Sequence, residues 1–480
     1  MKRNLFLFFF LCITSLQLYA QELLWENAYG GNKKDWIHHT FQNWQGNYVF
    51  SGHSGSGISG DKTEESRGLT DSWIIETDPN GNILWQKTLG GNGFDKIVIT
   101  LELKDGGYLL AGESNSGISG EKNQPAWNSR DLWLVKLDEK REIVWQQTYG
   151  GTIFENLSDI ISTRDGGYIL VAESNSPVSG DRTANSYGGA DLWVLKLDNF
   201  GEIEWQRSYG GDNHDIGGKI LESTKGYIIV GSSSSGISGN KTLESIGQSD
   251  YWLFEINSTG DILWQKVIGG NSADFIADFI PATGGGYILA GESSSGVSGN
   301  KDIPRKGFED LWLVKTDDRG NIIWQNSYAG PGSQWMAAVA PSSDSGYLIS
   351  AMSYSEIGHD KTEPNRGDRD FWMLKITDDG EICWDKTLGG KNTDQPMESF
   401  EDTDGNFVVA GWSDSGATGD KSEESLGYRD AWVIKISQPE ITEPLVKIQD
   451  PITACDENGD GFTEFDLKYL EKQIIGGQEN

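Results

Sequence analysis

The sequence comprises 480 residues with a formal net charge of −33 and only three cysteines. A negative charge of this size repels nucleic-acid phosphates and anionic lipid surfaces, so neither is an expected partner. Three cysteines cannot supply a framework of disulfides, and no apolar run is long enough to cross a bilayer.

The first 20 residues have the features of a secretory signal peptide. Lys2 and Arg3 precede the apolar stretch Leu5–Leu16, and Ala20 provides a small residue for cleavage. The residues before Cys12 lack the small side chain of a lipoprotein signal. We therefore predict that residues 1–20 are removed and that the protein is secreted or displayed at the cell surface.

Residues 21–437 contain one unit repeated seven times at intervals of 59 or 60 residues. Each copy has one tryptophan shortly before a Gly-Gly or Ala-Gly pair and a second tryptophan in an Asp-x-Trp string. Such self-similarity indicates a supersecondary unit whose copies bury their apolar faces against each other. The fourteen residues are Trp25, Trp73, Trp85, Trp133, Trp145, Trp193, Trp205, Trp252, Trp264, Trp312, Trp324, Trp372, Trp384 and Trp432.

Each unit has four runs of apolar and β-branched residues between clusters of Gly, Asp and Asn. Such runs predict short strands joined by tight turns. Four-stranded units of about 40–60 residues are typical of propeller blades. We predict an all-β fold, a seven-bladed β-propeller of four-stranded blades, in which the repeated tryptophans pack between blades.

The phase of the repeat predicts how the ring closes. The chain enters with an isolated Trp strand, Leu23–Asn27, and no Trp strand follows the last Asp-x-Trp string at Asp430–Ile436. Pairing of the N-terminal strand into the last blade would complete that blade and remove an exposed sheet edge.

A loop between the second and third strands of each unit carries Ser-Gly-x-Ser-Gly, decayed in some copies, followed by a polar pair. One interpretation is a collar of exposed cations on one rim that binds an extended partner through several blades. The other is a repeated turn whose polar pair ties neighbouring blades together. The cations, our candidate ligand-binding residues, are Lys62, Lys122, Arg182, Lys241, Lys301, Lys361 and Lys421.

No catalytic constellation is evident. The five histidines fall at different repeat positions without metal-ligand spacing, which indicates solvated or packed side chains. Cys383 replaces an apolar residue in its Trp strand, so we expect it to be buried. Four tryptophans depart from the repeat: Trp44, Trp127, Trp335 and Trp412. An acid after the Gly pair recurs in six copies and indicates a turn cap: Asp35, Asp95, Glu155, Asp215, Asp274 and Asp394.

A boundary follows Ser437, where Pro439 and Pro444 interrupt the pattern. We assign 438–450 to a linker and 451–480 to the start of an incomplete second module. There Asp456, Asn458 and Asp460 have the oxygen spacing of a calcium loop, although Leu467 stands where a carboxylate is expected. A weak calcium site and an Asx-rich turn are the two interpretations; no other cofactor is predicted.

Several motifs resemble a known family. The string from Lys315 to Trp324, Lys-x-Asp-x-x-Gly-x-Ile-x-Trp, together with Gly-Gly-x-x-x-Asp and Asp-Gly-Gly-Tyr-x-Leu-x-Gly-x-Ser elements, resembles the seven-bladed propeller repeats of secreted bacterial proteins over residues 22–437. The segment from Ala454 to Leu467 resembles part of cell-surface proteins of gliding bacteria that the type IX system exports. These resemblances imply a fold and display within a longer protein, but no specific activity.

The sequence as a whole predicts a secreted or cell-surface, non-catalytic binding or adhesion module, a monomeric propeller with a glycan or a protein as its partner. One alternative is a hydrolase or lyase that degrades polysaccharide with carboxylates in the central channel. Another is a passive structural spacer. Catalysis would require residues that break the repeat and converge in one pocket.

Overall fold

The computed structural model describes residues 21–127 and 130–438, which form 28 β-strands and no helix. None of these residues belongs to a helix that could span a membrane. The strands are β1 (Leu23–Tyr29), β2 (Asp35–Gln42), β3 (Tyr48–Ser54), β4 (Asp71–Thr77), β5 (Ile83–Leu89), β6 (Asp95–Glu102), β7 (Tyr108–Ser114), β8 (Asp131–Leu137), β9 (Ile143–Tyr149), β10 (Glu155–Ser162), β11 (Tyr168–Ser174), β12 (Asp191–Leu197), β13 (Ile203–Tyr209), β14 (Asp215–Glu222), β15 (Gly226–Ser233), β16 (Asp250–Asn257), β17 (Ile262–Ile268), β18 (Asp274–Pro281), β19 (Tyr287–Ser293), β20 (Asp310–Thr316), β21 (Ile322–Tyr328), β22 (Gln334–Pro341), β23 (Tyr347–Ser353), β24 (Asp370–Ile376), β25 (Ile382–Leu388), β26 (Asp394–Glu401), β27 (Phe407–Ser413) and β28 (Asp430–Ile436).

The strands form seven antiparallel sheets of four strands each, which we number as blades 1 to 7. Blades 1 to 6 contain consecutive strands, from β2-β3-β4-β5 to β22-β23-β24-β25. Blade 7 has the order β26-β27-β28-β1, and within it Trp25 pairs with Lys435 and Tyr29 with Ala431. The predictions of a seven-bladed propeller and of closure by the N-terminal strand are therefore confirmed.

The first strand of each blade contacts the first strands of both neighbouring blades and so surrounds a central channel. Because strands alternate in direction, the loops between second and third strands share one face with the connections between blades. We call this face the loop face and the opposite one, with its tight turns, the turn face. Each first strand also has a bulge, as between Ile37 and His39, which turns extra side chains towards the channel.

Apolar clusters between adjacent blades form the core, and the third strands lie deepest in it. All seven residues of β4 are buried, and each cluster combines residues of two neighbouring blades. The third-strand tryptophans lie inside these clusters; Trp133 Nε1 donates to Gln146 Oε1 at 3.1 Å. The fourth-strand tryptophans are half-buried and connect blades, since Trp145 Nε1 donates to the carbonyl of Asn199 at 3.2 Å.

The first glycine of the Gly-Gly pair is required where two blades meet. A Cβ added to Gly30 would lie 2.5 Å from Oδ1 of Asp430, the aspartate that begins the third strand of blade 7. Five other junctions repeat this contact. At the junction of blades 5 and 6 the residue is Ala329, and there Oδ1 of Asp310 instead accepts a hydrogen bond from Gly307 N at 2.8 Å. The one junction with alanine in place of glycine is thus the one where the aspartate makes a different hydrogen bond.

Candidate functional site

The blades differ most at the entrance to the channel on the loop face, which we call the channel mouth. The first residue of the first strand is buried in every blade and the third residue in every blade but blade 4, where it is Gly217, whereas the second residue is at least partly exposed. It changes chemically from blade to blade: Trp36, Lys96, Asn156, Ile216, Phe275, Trp335 and Gln395. Packing requirements alone do not explain this variation, so the channel mouth is the candidate functional site.

Blade 6 contributes an arginine held against two aromatic rings. The guanidinium carbon of Arg369 lies 4.3 Å from the ring centre of Tyr354 and 5.4 Å from that of Trp335, within the range of cation–π attraction. This guanidinium has no ion pair or hydrogen bond among the described residues. Trp335 is 39% exposed, and its Nε1 donates to Glu309 Oε2 at 3.0 Å. Blade 6 therefore presents an exposed indole beside an uncompensated cation.

Blades 7 and 1 continue the aromatic lining. The guanidinium of Arg429 lies 3.4 Å from the ring centre of Trp412 and 5.4 Å from that of Trp36. It donates two hydrogen bonds to Asp414, at 2.6 and 2.7 Å, so its charge is compensated. The indole of Trp36 in turn stacks on the imidazole of His53, with 4.3 Å between ring centres. Three consecutive blades thus place tryptophan and arginine side chains at the mouth.

Two histidines form a pair below these rings. His38 Nε2 lies 3.0 Å from His53 Nδ1, so one imidazole donates to the other. Burial, with the charge of Lys96, lowers the pKa of His38 to about 3. Burial and the neighbouring His38 also lower the pKa of His53. Both imidazoles are therefore neutral at physiological pH and act as packed, hydrogen-bonding groups.

Blade 2, which follows blade 1 in the ring, presents a compensated charge network. Glu113 is buried and lies 3.2 Å from Lys96 Nζ and 3.1 Å from Arg130 NH1. Its Oε1 also accepts a hydrogen bond from Leu157 N of the next blade, at 3.2 Å. This network joins blades 2 and 3 and leaves little charge for a ligand, in contrast to Arg369.

The middle of the channel holds an asymmetric group of charges: Asp159, Lys219, Asp278 and Glu398. Asp159 accepts hydrogen bonds from Ile160 N and from Ile220 N of the next blade, both at 2.9 Å. Asp278 makes the equivalent bonds at 2.8 Å, and its Oδ1 lies 3.8 Å from Lys219 Nζ. These two aspartates satisfy backbone groups freed by the bulges.

Glu398 differs from the two channel aspartates because it accepts a local hydrogen bond, from Ser399 N at 3.1 Å. Burial, followed by the charge of Asp278, raises the pKa of Glu398 to about 8, against the effect of Lys219. In the neighbouring blade 1, burial and the charge of Lys219 lower the pKa of His39 to about 4. Burial therefore favours the neutral form of both the Glu398 carboxyl and the His39 imidazole.

The seven candidate cations lie elsewhere, and the expectation of an exposed collar must be corrected. Lys62, Lys122, Arg182, Lys241, Lys301, Lys361 and Lys421 are all at most 2% exposed. Lys122 Nζ donates to Thr148 Oγ1 at 2.8 Å and lies 5.2 Å from the ring centre of Trp133. Each loop folds over its own cation, because the charge finds buried carboxylates beneath the loop. Sequence spacing could place the loops on one rim but could not show where their side chains point.

The acid of the polar pair supports the alternative interpretation, in which the loop ties blades together. Glu121 Oε1 lies 2.6 Å from Arg67 of the preceding blade. Asp360 pairs with Lys306 at 2.7 Å, and Asp420 with Arg366 at 2.8 Å. These contacts connect each loop to the blade before it.

Other sequence predictions have separate outcomes. Cys383 is exposed, so the expectation that it is buried is wrong; its position points away from the sheet core, as for the exposed Leu84 and Ile323. Among the described residues no group of three or more acidic, histidine or cysteine side chains is arranged to hold a metal. Asp456, Asn458, Asp460 and Cys455 lie outside the described residues, so the calcium loop stays a prediction.

Of the four irregular tryptophans, the structure places Trp335 and Trp412 on consecutive blades at the loop end of their strands. Trp127 lies in a loop and donates to Asp181 Oδ2 at 2.8 Å, whereas Trp44 lies in a turn on the opposite face. Sequence reasoning missed Trp36, Tyr354, Arg369 and Arg429. For Trp36 the available signal was the strong chemical variation at the position that follows the repeated acid.

The loop tips carry a further feature, an exposed aliphatic side chain at the same position of six blades. These residues are between 54% and 69% exposed: Ile58, Ile118, Val178, Ile237, Val297 and Ile357. They encircle the channel mouth on the loop face, so an extended partner bound there would contact apolar groups at its periphery.

A groove of about 770 Å³ opens on the outer wall between blades 3 and 4. Gln206, Tyr209, Trp264 and Gln265 line it, and each is a repeat position that other blades share. The groove is therefore a consequence of how blades pack, and it does not distinguish these two blades.

Comparisons with known proteins reveal only distant similarity. No family model matches the chain. The regulatory protein FlaEY of Caulobacter vibrioides is 24% identical over 187 residues, which cover 37% of this chain and 20% of that protein. This chain thus matches only about a fifth of the length of that curated relative.

Solved structures give matches of the same kind. A Bacteroides caccae protein of unknown function is 12% identical, with 66% of this chain and 90% of that chain covered and a TM-score of 0.34. A member of the DUF4221 family from Bacteroides vulgatus is 11% identical, with 87% and 98% covered and a TM-score of 0.38. Puromycin hydrolase is 14% identical, with 79% and 50% covered and a TM-score of 0.41. At these values no residue role is transferred to this chain.

Proposed function

We propose that this protein is a non-catalytic binding module that recognises a glycan or a protein on its loop face, with blades 6, 7 and 1 at the channel mouth as the binding site. The observation that carries the proposal is the group of Trp335, Tyr354 and Arg369, which breaks the repeat and leaves an exposed indole beside a guanidinium that has no ion pair among the described residues.

The chemistry of this group favours a glycan. An exposed indole offers a flat apolar surface for the C–H face of a sugar ring and keeps its N–H in a polar contact. Arg369 has unused donors for hydroxyl or carbonyl oxygens, and its contact with Tyr354 restricts its movement, which reduces the entropy lost on binding. The aliphatic loop tips suit a protein partner instead, so binding of either class supports the loop face as the binding face.

The test is a screen of immobilised glycans with the wild-type protein and with Trp335→Ala and Arg369→Ala. We expect each substitution to weaken binding about tenfold or more, since a central aromatic or arginine contact contributes about 2 kcal/mol. Trp44→Ala is the matched control, because Trp44 is 64% exposed but lies on the turn face. Equal losses for Trp44→Ala and Trp335→Ala, or no loss for either variant at the mouth, would contradict the proposed site.

A polysaccharide-degrading activity is the second candidate, favoured by the raised pKa of Glu398 in the channel. A general acid with this property is one of the two carboxyl groups that glycoside hydrolysis uses. Asp159 and Asp278 are already bonded to backbone N–H groups of two blades each. Release of reducing ends from a polysaccharide panel, lost in Glu398→Gln, would establish hydrolysis and replace the binding proposal.

Export and surface display are part of the proposal, supported by the charge and apolar pattern of residues 1–20. The measurement is mass spectrometry of the N-terminus in the native organism. We expect mature protein that begins at Gln21 outside the inner membrane. An intact N-terminus in the cytoplasm would contradict it.

A further inference from the structure

A belt of buried charges runs around the ring beneath the loop face. Its cations are the seven loop residues described above, of which Lys122 and Arg182 are examples. Its acids begin the first and third strands and are all fully buried: Asp35, Asp71, Asp95, Asp131, Glu155, Asp191, Asp215, Asp250, Asp274, Asp310, Asp370, Asp394 and Asp430. The belt therefore holds thirteen carboxyl groups and seven cations.

In six blades the cation lies near the first-strand and third-strand acids of its own blade, whereas in blade 6, where Gln334 replaces the first-strand acid, Lys361 lies near Asp385 and Asp370. Lys122, for example, is influenced by the charges of Asp95 and Asp131. At six junctions the third-strand aspartate of one blade faces the first-strand acid of the next. Each of these junctions thus holds two carboxyl groups, whereas each blade supplies only one cation. A buried negative charge without compensation is very costly.

The geometry of these six junctions identifies what is missing. Asp430 Oδ1 and Asp35 Oδ2 lie 2.5 and 3.0 Å from the same point, the place of a Cβ on Gly30. The third-strand Oδ1 is buried there without a hydrogen-bond partner, and so are its equivalents: Asp71, Asp131, Asp191, Asp250 and Asp370. The facing group is another carboxylate, which has no hydrogen to donate. One proton between the two would both supply the missing hydrogen bond and remove the excess charge.

The junction of blades 5 and 6 is a natural control. Gln334 replaces the first-strand acid, so this junction has one carboxyl group per cation. Here the third-strand aspartate, Asp310, has its Oδ1 satisfied by Gly307 N at 2.8 Å. The one junction without a second carboxyl group is thus the one whose third-strand aspartate does not need a proton.

We propose that each of the other six junctions holds one proton shared by its two carboxyl groups, so that the ring is a proton-binding device whose stability depends on pH. The inference is independent of the ligand that the channel mouth binds. The predicted turn cap is confirmed, since Gly31 N donates to Asp35 Oδ2 at 2.8 Å and the other five first-strand acids accept the equivalent bond. The proposal gives these acids a second role, as partners of the third-strand aspartates.

The electrostatics of Asp131 agree with this proposal. Burial, together with the charge of Glu155 and a hydrogen bond with it, raises the pKa of Asp131 to about 7, against the opposing effects of the Trp127 N–H and of Lys122. Glu155 also faces Arg182 and accepts hydrogen bonds from Gly151 N and Ser174 Oγ. Burial likewise raises the pKa of Asp71 and of Asp370 to about 6.

The direction of the pH dependence follows from these shifts. An unfolded aspartate has a pKa of about 4, so between about pH 4 and pH 7 the folded ring binds more protons than the unfolded chain. The stabilisation of the folded ring by these protons is complete near pH 4 and is lost as the pH rises through 6 to 7. Burial also lowers the pKa of Lys122 to about 8, which adds the opposite slope only above that pH. The informative range is therefore about pH 5 to 7.5.

The experiment compares the full-length wild type with Glu155→Gln, which copies the natural Gln334 at another junction, and with Gln334→Glu, which creates a seventh pair. We expect the wild-type melting temperature to fall between about pH 5 and pH 7.5. Glu155→Gln should raise it by about 1–3 °C at pH 7.5 and change it little at pH 5. Gln334→Glu should lower it by a similar amount at pH 7.5 alone.

Infrared spectroscopy supplies a readout that does not depend on the folding of a variant. The wild type at about pH 6 should show the absorption of protonated carboxyl groups in the folded state, reduced by one group in Glu155→Gln. A wild type without this absorption would overturn the proposal. So would an unchanged pH dependence of melting in both variants, because the junction acids would then be fully ionised throughout.

Discussion

The belt at the blade junctions and the channel mouth belong to the same ring but differ in their polar side chains, which are repeated and buried in the belt and irregular and partly exposed at the mouth. In the belt almost every blade supplies the same acid and cation, and all of them are buried. At the mouth Trp335 is exposed and Arg369 has no counterion among the described residues. Repetition therefore marks the groups that close the ring, and departure from repetition marks groups that the ring does not need.

The largest effect should follow from removal of the strand that closes the ring. Deletion of residues 21–31 removes β1, exposes the edge of β28 and takes Tyr29 out of the apolar cluster between blades 7 and 1. We expect a loss on the order of 5 kcal/mol or more in the free energy of unfolding, because an outer strand and its apolar contacts are lost together. Thermal unfolding followed by tryptophan fluorescence measures this.

A permuted chain is the control for that deletion. In this variant residues 22–31 are moved from the N-terminus to a position after residue 437. A copy of the five-residue turn 78–82, which joins β4 to β5 in blade 1, connects the two segments. All four strands of blade 7 are then present in one segment, so most of the stability should return. If the permuted chain is as unstable as the deletion, strand pairing in blade 7 does not account for the loss.

The next prediction compares two tryptophans, one in each region. Trp312 is fully buried between blades and donates to Gln325 Oε1 at 3.3 Å, whereas Trp335 is exposed at the mouth. Trp312→Ala should reduce the free energy of unfolding by about 3–5 kcal/mol, and Trp335→Ala by less than about 1 kcal/mol. Urea unfolding of both variants gives the comparison. Similar losses would show that the mouth is part of the packed core.

The smallest effect concerns the glycine at the junctions. A Cβ at Gly150 would collide with Cγ and Oδ1 of Asp131, so Gly150→Ala should cost about 1–3 kcal/mol. Ala329→Gly is the matched control, because Asp310 has a different hydrogen bond there; it should cost less than about 1 kcal/mol. Melting temperatures of the two variants would be equal if the contact with the aspartate were unimportant.

Most of the fold could be predicted because each blade repeats the same local sequence pattern. The tryptophan spacing predicts the number of blades, and the isolated strand around Trp25 predicts closure, since a strand without a partner at one end of a repeat must pair at the other. The site was harder to predict. Trp335, Tyr354 and Arg369 are well separated in the sequence. Only the folding of the blade brings the guanidinium of Arg369 within cation–π distance of the two rings.

The strand pattern, the seven blades and the closure of the ring follow from the sequence alone. Alternation of apolar residues and turn chemistry are local properties, and they recur in every repeat. The tertiary structure alone decided where the charges lie. Lys122 and its equivalents resemble an exposed collar in the sequence but are buried, because the blade folds their loop over carboxyl groups of its own strands, such as Asp95 and Asp131. This compensation of charge depends on the direction in which the loop side chains point, which the spacing of residues does not reveal.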